Sequence, residues 1–299
     1  MSRTDDIDPL YPFLEEWEQQ QAEPMPVFAK KRGRGRRSQE TGDRMQKDKM
    51  TEFDRIICGD CLTVMREMPG ESVDLIVTSP PYNLFDESEG KRWGGGFLSR
   101  GRKLKNAYKG YADNIPRAEY VGWQRDCLTE MMRLIADTGA IFYNHKWRVS
   151  NGLQQDQSPI VSGFPVRQII IWHRTGGVNF NDSYFLPNYE VIYMIAKPDF
   201  RLRPKANHLG CVWRIHQEMN NEHPCPFPVE LPERIIGSTD AQVILDPFVG
   251  SGTTAVAAKQ LNRRYVGIDV SPDYCEMAEA RLSGTLGGKT FFERREVNE

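Results

Sequence analysis

From residue 53 onward the chain alternates short β-rich runs with amphipathic helical stretches, and this alternation restricts the fold more than any other feature. Residues 53–58 (FDRIIC) and 73–78 (VDLIVT) read as strands, with a helical turn at 62–68 between them. Residues 117–136 carry apolar side chains at helical spacing, and Gly139 reads as the stop. Residues 140–143, 168–172 and 190–195 are further strands, and 229–236 reads as a helix introduced by prolines. A strand at 243–246, a helix at 253–261, a strand at 265–269 and a helix at 272–282 complete the series. Strands alternating with helices predict a doubly wound, mostly parallel α/β sheet covered on both faces.

At 299 residues, the chain has room for two domains of about 150, but one α/β domain of roughly 250 is equally ordinary. Residues 1–50 read as a tail, rich in Gln, Glu, Lys, Arg and Pro, that buries too little apolar area to offset its ordering entropy. Residues 51–299 read as the folded domain. No apolar run approaches the ~18 residues of a membrane span. The first residues lack the basic-then-apolar pattern of a secretory signal, so a cytoplasmic protein is expected. Lys+Arg (39) nearly cancels Asp+Glu (41), so the distribution of charge, not its sum, must reveal any polyanionic partner. Cys58 and Cys61 form a CxxC, but no second CxxC or HxxxH supplies the remaining ligands of a zinc site. No metal is expected, and the pair reads as reduced thiols at a strand-to-helix turn.

Positive charge gathers in two segments. In the tail, residues 30–37 are KKRGRGRR, and Arg32, Arg34 and Arg36 lie in Arg-Gly-Arg units that resemble an AT-hook core, a minor-groove device. The flanking prolines of such a hook are missing, and a solvated basic tail is an equal reading; either adds salt-sensitive nucleic-acid affinity. Residues 84–116 interrupt the strand–helix rhythm with seven basic residues: Lys91, Arg92, Arg100, Arg102, Lys103, Lys105 and Lys109. Glycines and the aromatics Trp93, Phe97, Tyr108 and Tyr111 are interspersed among them. Charge for phosphates and rings for unstacked bases suit a nucleic-acid strand, so this is expected to be a mobile, functional loop.

Two motifs carry chemistry. Asp246-Pro247-Phe248-Val249-Gly250-Ser251-Gly252-Thr253-Thr254 closes a strand and opens a helix, and its glycines permit a tight turn and close approach of a ligand. Asp269, 19 positions beyond Gly250, ends the next strand, where a carboxylate can accept the hydrogen bonds of a ribose diol. The pattern is neither a complete dinucleotide fingerprint nor a phosphate-binding loop, and points to a nucleoside cofactor. The second motif is Ser79-Pro80-Pro81-Tyr82 after the strand VDLIVT. Consecutive prolines stiffen the backbone and remove donors. They leave a rim of acceptors, the Ser79 hydroxyl and the Pro80 carbonyl, beside the ring of Tyr82. Such a rim suits an exocyclic amino group with two N–H bonds to donate.

Together these motifs resemble those of the β-class S-adenosylmethionine-dependent DNA amino-methyltransferases, in which a (D/N/S)PPY motif precedes FxGxG. Here Phe248 follows Ser79 by 169 positions, and the resemblance spans residues 53–285. It implies a seven-stranded Rossmann-like methyltransferase sheet and S-adenosyl-L-methionine as cofactor. The implied cofactor contacts are Asp60, Ser79, Asp246, Phe248, Gly250, Ser251, Gly252, Thr253 and Asp269. Pro224, in the run HPCPFP, resembles a family segment near the methionine end, although the family's Lys is absent. Residues 142–146 (FYNHK) are expected to border the target-base pocket, with His145 a structural or phosphate contact rather than a general base.

The implied reaction moves a methyl group to the amino nitrogen of a base flipped out of double-stranded DNA. Ser at the first motif position leans towards cytosine N4; adenine N6 is the near alternative, and an RNA or protein-amide substrate a more distant one. Cytosine C5 methylation would need a nucleophilic Cys in a Pro-Cys motif. Cys225, set between prolines before a helix, is poorly placed for that. A DNA-binding module with a silent pocket would not require both motifs intact. The resemblance further implies a homodimer of bacterial or phage origin, with a cognate restriction enzyme or a solitary role.

Overall fold

The structure is a computed structural model that describes residues 53–83, 85–86, 91–92, 115–150, 153–175, 182–217 and 228–284. The chain enters on strand β1 (Arg55–Cys58), turns through helix α1 (Cys61–Glu67) and returns on β2 (Val73–Thr78). Asp60 caps α1: its Oδ1 accepts from the Thr63 backbone N–H at 2.9 Å and from the Thr63 hydroxyl at 2.8 Å. Such a cap contributes about 0.5–2 kcal/mol. Short strands β3 (Phe85–Asp86) and β4 (Lys91–Arg92) pair antiparallel inside the basic segment. Helix α2 (Arg117–Leu134) runs directly into β5 (Ile135–His145), followed by the ribbon β6 (Arg148–Ser150) and β7 (Leu153–Gln155) and by α3 (Ser158–Val161). Then come β8 (Val166–Arg174), β9 (Tyr189–Ala196), β10 (Val212–Ile215), α4 (Glu230–Gly237), β11 (Val243–Asp246), α5 (Thr253–Gln260), β12 (Arg264–Asp269) and α6 (Pro272–Gly284).

Eight strands form the main sheet in the order β1-β12-β11-β2-β5-β9-β8-β10. Neighbours are parallel except at β9, which is antiparallel to both β5 and β8. The expected sheet had seven strands; the eighth is β10, on the edge beside β8. Its four residues VWRI alternate exposed and buried, too short a pattern to separate from a loop by sequence.

Central strands read as continuous apolar runs because both faces are covered. In β2, Leu75 and Val77 pack with Ile235 and Ile236 of α4, the alanines of α5 and Leu282 of α6. Ile76, one residue out of phase, packs on the other face with Met65 of α1, Leu128 and Met131 of α2 and Ile160 of α3. Each such fully buried aliphatic side chain is worth about 1.5–3 kcal/mol.

The boundary between α2 and β5 departs from expectation. The helix stops at Leu134, not at Gly139, and the next residue already has extended dihedrals. Val73 pairs with Ile135 and Leu75 with Ala140, so β5 is bulged between those pairs. A Cβ on Gly139 would lie 2.8 Å from Ile135 Cβ and 3.0 Å from the Asp74 carbonyl oxygen. Gly139 therefore permits close packing within a bulged strand rather than terminating a helix. Among the described residues no helix is long and apolar enough to cross a membrane.

Candidate active site

The carboxyl ends of β2 and β11 lie side by side, with Leu75 opposite Ile244 and Ile76 opposite Leu245. Beyond them the connections diverge, β11 leading to β12 on one side and β2 neighbouring β5 on the other. This switch point opens a crevice of the kind in which α/β sheets hold ligands. The two sequence motifs leave their strands there, and hydrogen bonds join them. Thr78 Oγ1 donates to Asp246 Oδ1 at 2.7 Å, and Thr254 Oγ1 donates to Asp246 Oδ2 at 2.7 Å. Phe248 N–H adds a bond to Oδ1 at 3.0 Å. Asp246 is thus a buried tie between the motifs. Burial raises its pKa to about 6 against the opposing effect of these hydrogen bonds.

The turn after β11 needs its glycines. Gly250 and Gly252 have φ of 49° and 87°, in the left-handed region. A Cβ on Gly252 would also come within 2.9 Å of Ala278 Cβ on α6. Gly250 N–H donates to Asp269 Oδ2 at 3.0 Å and Ser271 N–H to Oδ1 at 2.9 Å. Burial pushes the Asp269 carboxyl upward, partly offset by these N–H donors. Each of its oxygens keeps lone-pair capacity for a diol. Asp60 sits close by, since Cys58, two residues earlier, pairs with Asp269; its Oδ2 makes no hydrogen bond among the described residues. Half-buried Phe248 meets Trp123 of α2 edge to face at 5.7 Å. A carboxylate for a ribose, a glycine-turned floor and an aromatic wall are a donor set that fits a nucleoside sulfonium. Ser251 and Thr253 are both buried, and both hydroxyls accept from Arg281 Nη1, at 2.9 and 3.2 Å.

At the end of β2, Ser79 Oγ lies 2.6 Å from Tyr82 Oη. Tyr82 Oη donates to Glu190 Oε2 at 3.0 Å, and Asn144 Nδ2 reaches Tyr82 Oη and Glu190 Oε2, each at 2.8 Å, and Ser79 Oγ at 3.3 Å. Arg174 Nη1 stands 3.3 Å from Glu190 Oε1. Pro80 is buried, and the Pro81 carbonyl accepts from Tyr120 Oη at 2.8 Å. That hydroxyl is also 2.7 Å from His145 Nε2. His145 is fully buried, with its ring 4.9 Å from that of Tyr82, so it supports the rim from behind and is closed to phosphate. Asn83, at φ 54°, clamps Ile115 through both amide atoms, at 2.7 and 2.8 Å, and so joins the two ends of the segment that starts at residue 84.

Sequence reasoning missed Glu190, Arg174, Trp123 and Tyr120. One signal was available for Glu190, a lone carboxylate in the otherwise apolar strand YEVIYMIA, because a buried charge requires a partner. The CxxC is divided. Cys58 is exposed, while Cys61 is buried with its Sγ 3.8 Å from Cys127 Sγ, a contact that, with burial, pushes the Cys127 thiol up. Among the described residues no cluster of His, Cys, Asp and Glu is arranged to hold a metal. Pro224 and Cys225, the tail arginines 32, 34 and 36, and Arg100, Arg102, Lys103, Lys105 and Lys109 lie outside the described residues, as do the side chains of Lys91 and Arg92.

A switch-point crevice with a glycine-turned nucleoside cradle on one side and a proline-stiffened acceptor rim on the other defines an S-adenosylmethionine-dependent amino-methyltransferase. The chain belongs to the N6/N4 DNA methylase family, which it matches over residues 73–280. It is similar to the type II methyltransferase M.BglII of Bacillus subtilis, with 27% identity covering 78% of this chain and 69% of that one. It is likewise similar to M2.DpnII of Streptococcus pneumoniae, with 28% identity covering 76% and 88%. The fold resembles PvuII DNA methyltransferase (cytosine-N4-specific), with a TM-score of 0.61 and 17% identity over 83% of this chain and 94% of that one. It also resembles TTHA0409 of Thermus thermophilus, solved with S-adenosyl-L-methionine, with a TM-score of 0.56 and 25% identity over 79% and 95%. The protein is therefore a DNA methyltransferase that uses S-adenosyl-L-methionine, of the class that modifies exocyclic amino groups.

Proposed function

We propose that the protein methylates N4 of a cytosine flipped out of duplex DNA, with Ser79, Pro80, Pro81 and Tyr82 forming the reaction site. The observation that carries this reading is the position of Ser79 Oγ on a proline-stiffened rim, hydrogen-bonded to the carboxylate-anchored Tyr82. A hydroxyl that accepts one N–H and a backbone carbonyl that accepts the other draw a conjugated amino nitrogen towards tetrahedral geometry and restore its lone pair. When bound, S-adenosylmethionine supplies a methyl already activated on a sulfonium. The chain contributes alignment, and the amino proton leaves to water or the rim. Asp269, Asp60, Phe248 and the Gly250–Gly252 turn hold the cofactor, with Asp246 fixing their distance from the rim; a contact from Pro224 is what the family resemblance implies. Flipping costs a few kcal/mol. Stacking of the base on the ring of Tyr82 returns about 1–3 kcal/mol, and basic residues at 91–109 and 32–36 supply phosphate contacts.

The serine at the first motif position and the cytosine-N4 specificity in the name of the PvuII relative support cytosine over adenine. Mass analysis of nucleosides from DNA treated with the enzyme and cofactor tests the assignment. N4-methylcytosine is expected. N6-methyladenine overturns the choice of base, and label found only in RNA or in glutamine amides overturns the choice of substrate. The same reading includes a homodimer with a cognate restriction enzyme, and sedimentation of the purified chain at the monomer mass overturns the dimer.

A further inference from the structure

Glu190 is the second residue of β9, whose first residues reach the crevice, and it is 6% exposed. One of its oxygens faces Arg174, the last residue of β8, and the other accepts from Tyr82 Oη and Asn144 Nδ2. Arg174 is itself held by donation from Nη2 to the Pro187 carbonyl at 2.9 Å. A phenol has one proton. If Tyr82 gives it to the carboxylate, the proton in the 2.6 Å contact between Ser79 and Tyr82 belongs to the serine. Ser79 Oγ then turns its proton away from the crevice and, with one lone pair facing Asn144 Nδ2 at 3.3 Å, keeps the other for an incoming donor. A serine hydroxyl is otherwise either donor or acceptor, and a proton aimed at an amino group would repel the N–H bonds it is meant to receive. The Asn144 amide is oriented by the same anion: Nδ2 faces Glu190, which leaves Oδ1 as a buried acceptor with no partner among the described residues.

We propose that Glu190, clamped by Arg174, is a positioning residue that sets the direction of the Ser79–Tyr82 hydroxyl chain and so makes Ser79 an obligate acceptor for the target amino group. The proposal rests on the reading of Ser79 as the amino clamp. Replacing the carboxylate with an amide provides a donor, so Tyr82 can turn its proton to Ser79, and Ser79 can turn its own into the crevice.

The test uses the full chain, radiolabelled S-adenosylmethionine and duplex DNA, and measures single-turnover rate and cofactor Kd for Glu190→Gln alone and combined with Tyr82→Phe. Glu190→Gln is expected to lower the rate about tenfold or more while leaving cofactor Kd within about twofold. In the Tyr82→Phe background, where the chain is already cut, the same substitution should change the rate less than about twofold. A wild-type rate in Glu190→Gln, or an equal loss in both backgrounds, overturns the proposal, because a merely structural glutamate would act independently of the Tyr82 hydroxyl. If the glutamine variant does not fold, Arg174→Met with Glu190→Met removes the buried ion pair as a unit, often at little cost in stability, and carries the same two-background comparison. Failure of the wild-type enzyme to label DNA would instead count against the function itself. Full turnover in Ser79→Ala would count against the clamp.

Discussion

Ser79 carries one hydroxyl at the junction of rim and crevice, so its removal is the sharpest probe at residue scale. Ser79→Ala is expected to lower turnover by roughly 10²-fold or more, as deletion of one preorganised polar group does elsewhere, without loss of the folded state. Methyl transfer and thermal melting, measured side by side, check both halves. Tyr82→Ala should weaken capture of the target base and leave cofactor affinity intact, because the ring packs on His145 and its hydroxyl bonds to Ser79 and Glu190, whereas the cofactor cradle belongs to β11 and β12. Equal losses of DNA and cofactor affinity in titrations would contradict that division. Ser79, Tyr82, Gly250 and Asp269 were legible from sequence because each sits in a motif with a chemical reason for its residue type. Arg174 was not, and Glu190 showed only as a lone carboxylate in an apolar strand, since the two meet only when β8 and β9 pair and their spacing in the chain carries no signal of that pairing.

At the scale of elements, the turn between β11 and α5 concentrates the constraints. Gly252→Ala places a methyl against Ala278 Cβ and Cα at 2.9 and 3.0 Å and forces a left-handed φ on a residue with a side chain. A loss of about 1–3 kcal/mol is expected, with weaker cofactor binding, and denaturant unfolding of the variant checks it. Asp246 gives this turn a pH signature. Its carboxyl is raised from 3.8 to about 6, so the native state binds the proton more tightly than the unfolded chain. Its contribution is therefore fully present below about 3.8 and is lost as pH rises through about 6. Asp246→Asn cannot ionise, so the stability of the wild type relative to this variant should fall between pH 4 and pH 7, by up to about 3 kcal/mol. A difference that stays flat across that window would contradict the assignment. The strands and helices around this turn were legible because strand and helix periods differ. The start of β5 was not, because a glycine that relieves a bulge and one that ends a helix look alike in sequence.

For the whole molecule, the order β12-β11-β2-β5 explains how motifs 169 positions apart share a crevice; the alternation of strands and helices made a mostly parallel sheet legible, but not the order of its strands, which long-range pairing sets. Attraction to DNA is distributed differently. The net charge is −2, so affinity for a polyanion must come from local concentrations of basic residues. The densest is KKRGRGRR at 30–37, with six basic residues in eight, outside the family match at 73–280. Cofactor binding and melting temperature should therefore survive deletion of residues 1–50, because the described residues that form the cradle and both core clusters all lie beyond them. DNA affinity should fall and lose salt sensitivity, the slope of log K against log salt becoming shallower by about 0.9 for each phosphate contact removed. An unchanged slope in the truncated chain would mean that the tail touches no phosphate, leaving the seven basic residues at 91–109 as the sequence's other concentration of positive charge for the duplex.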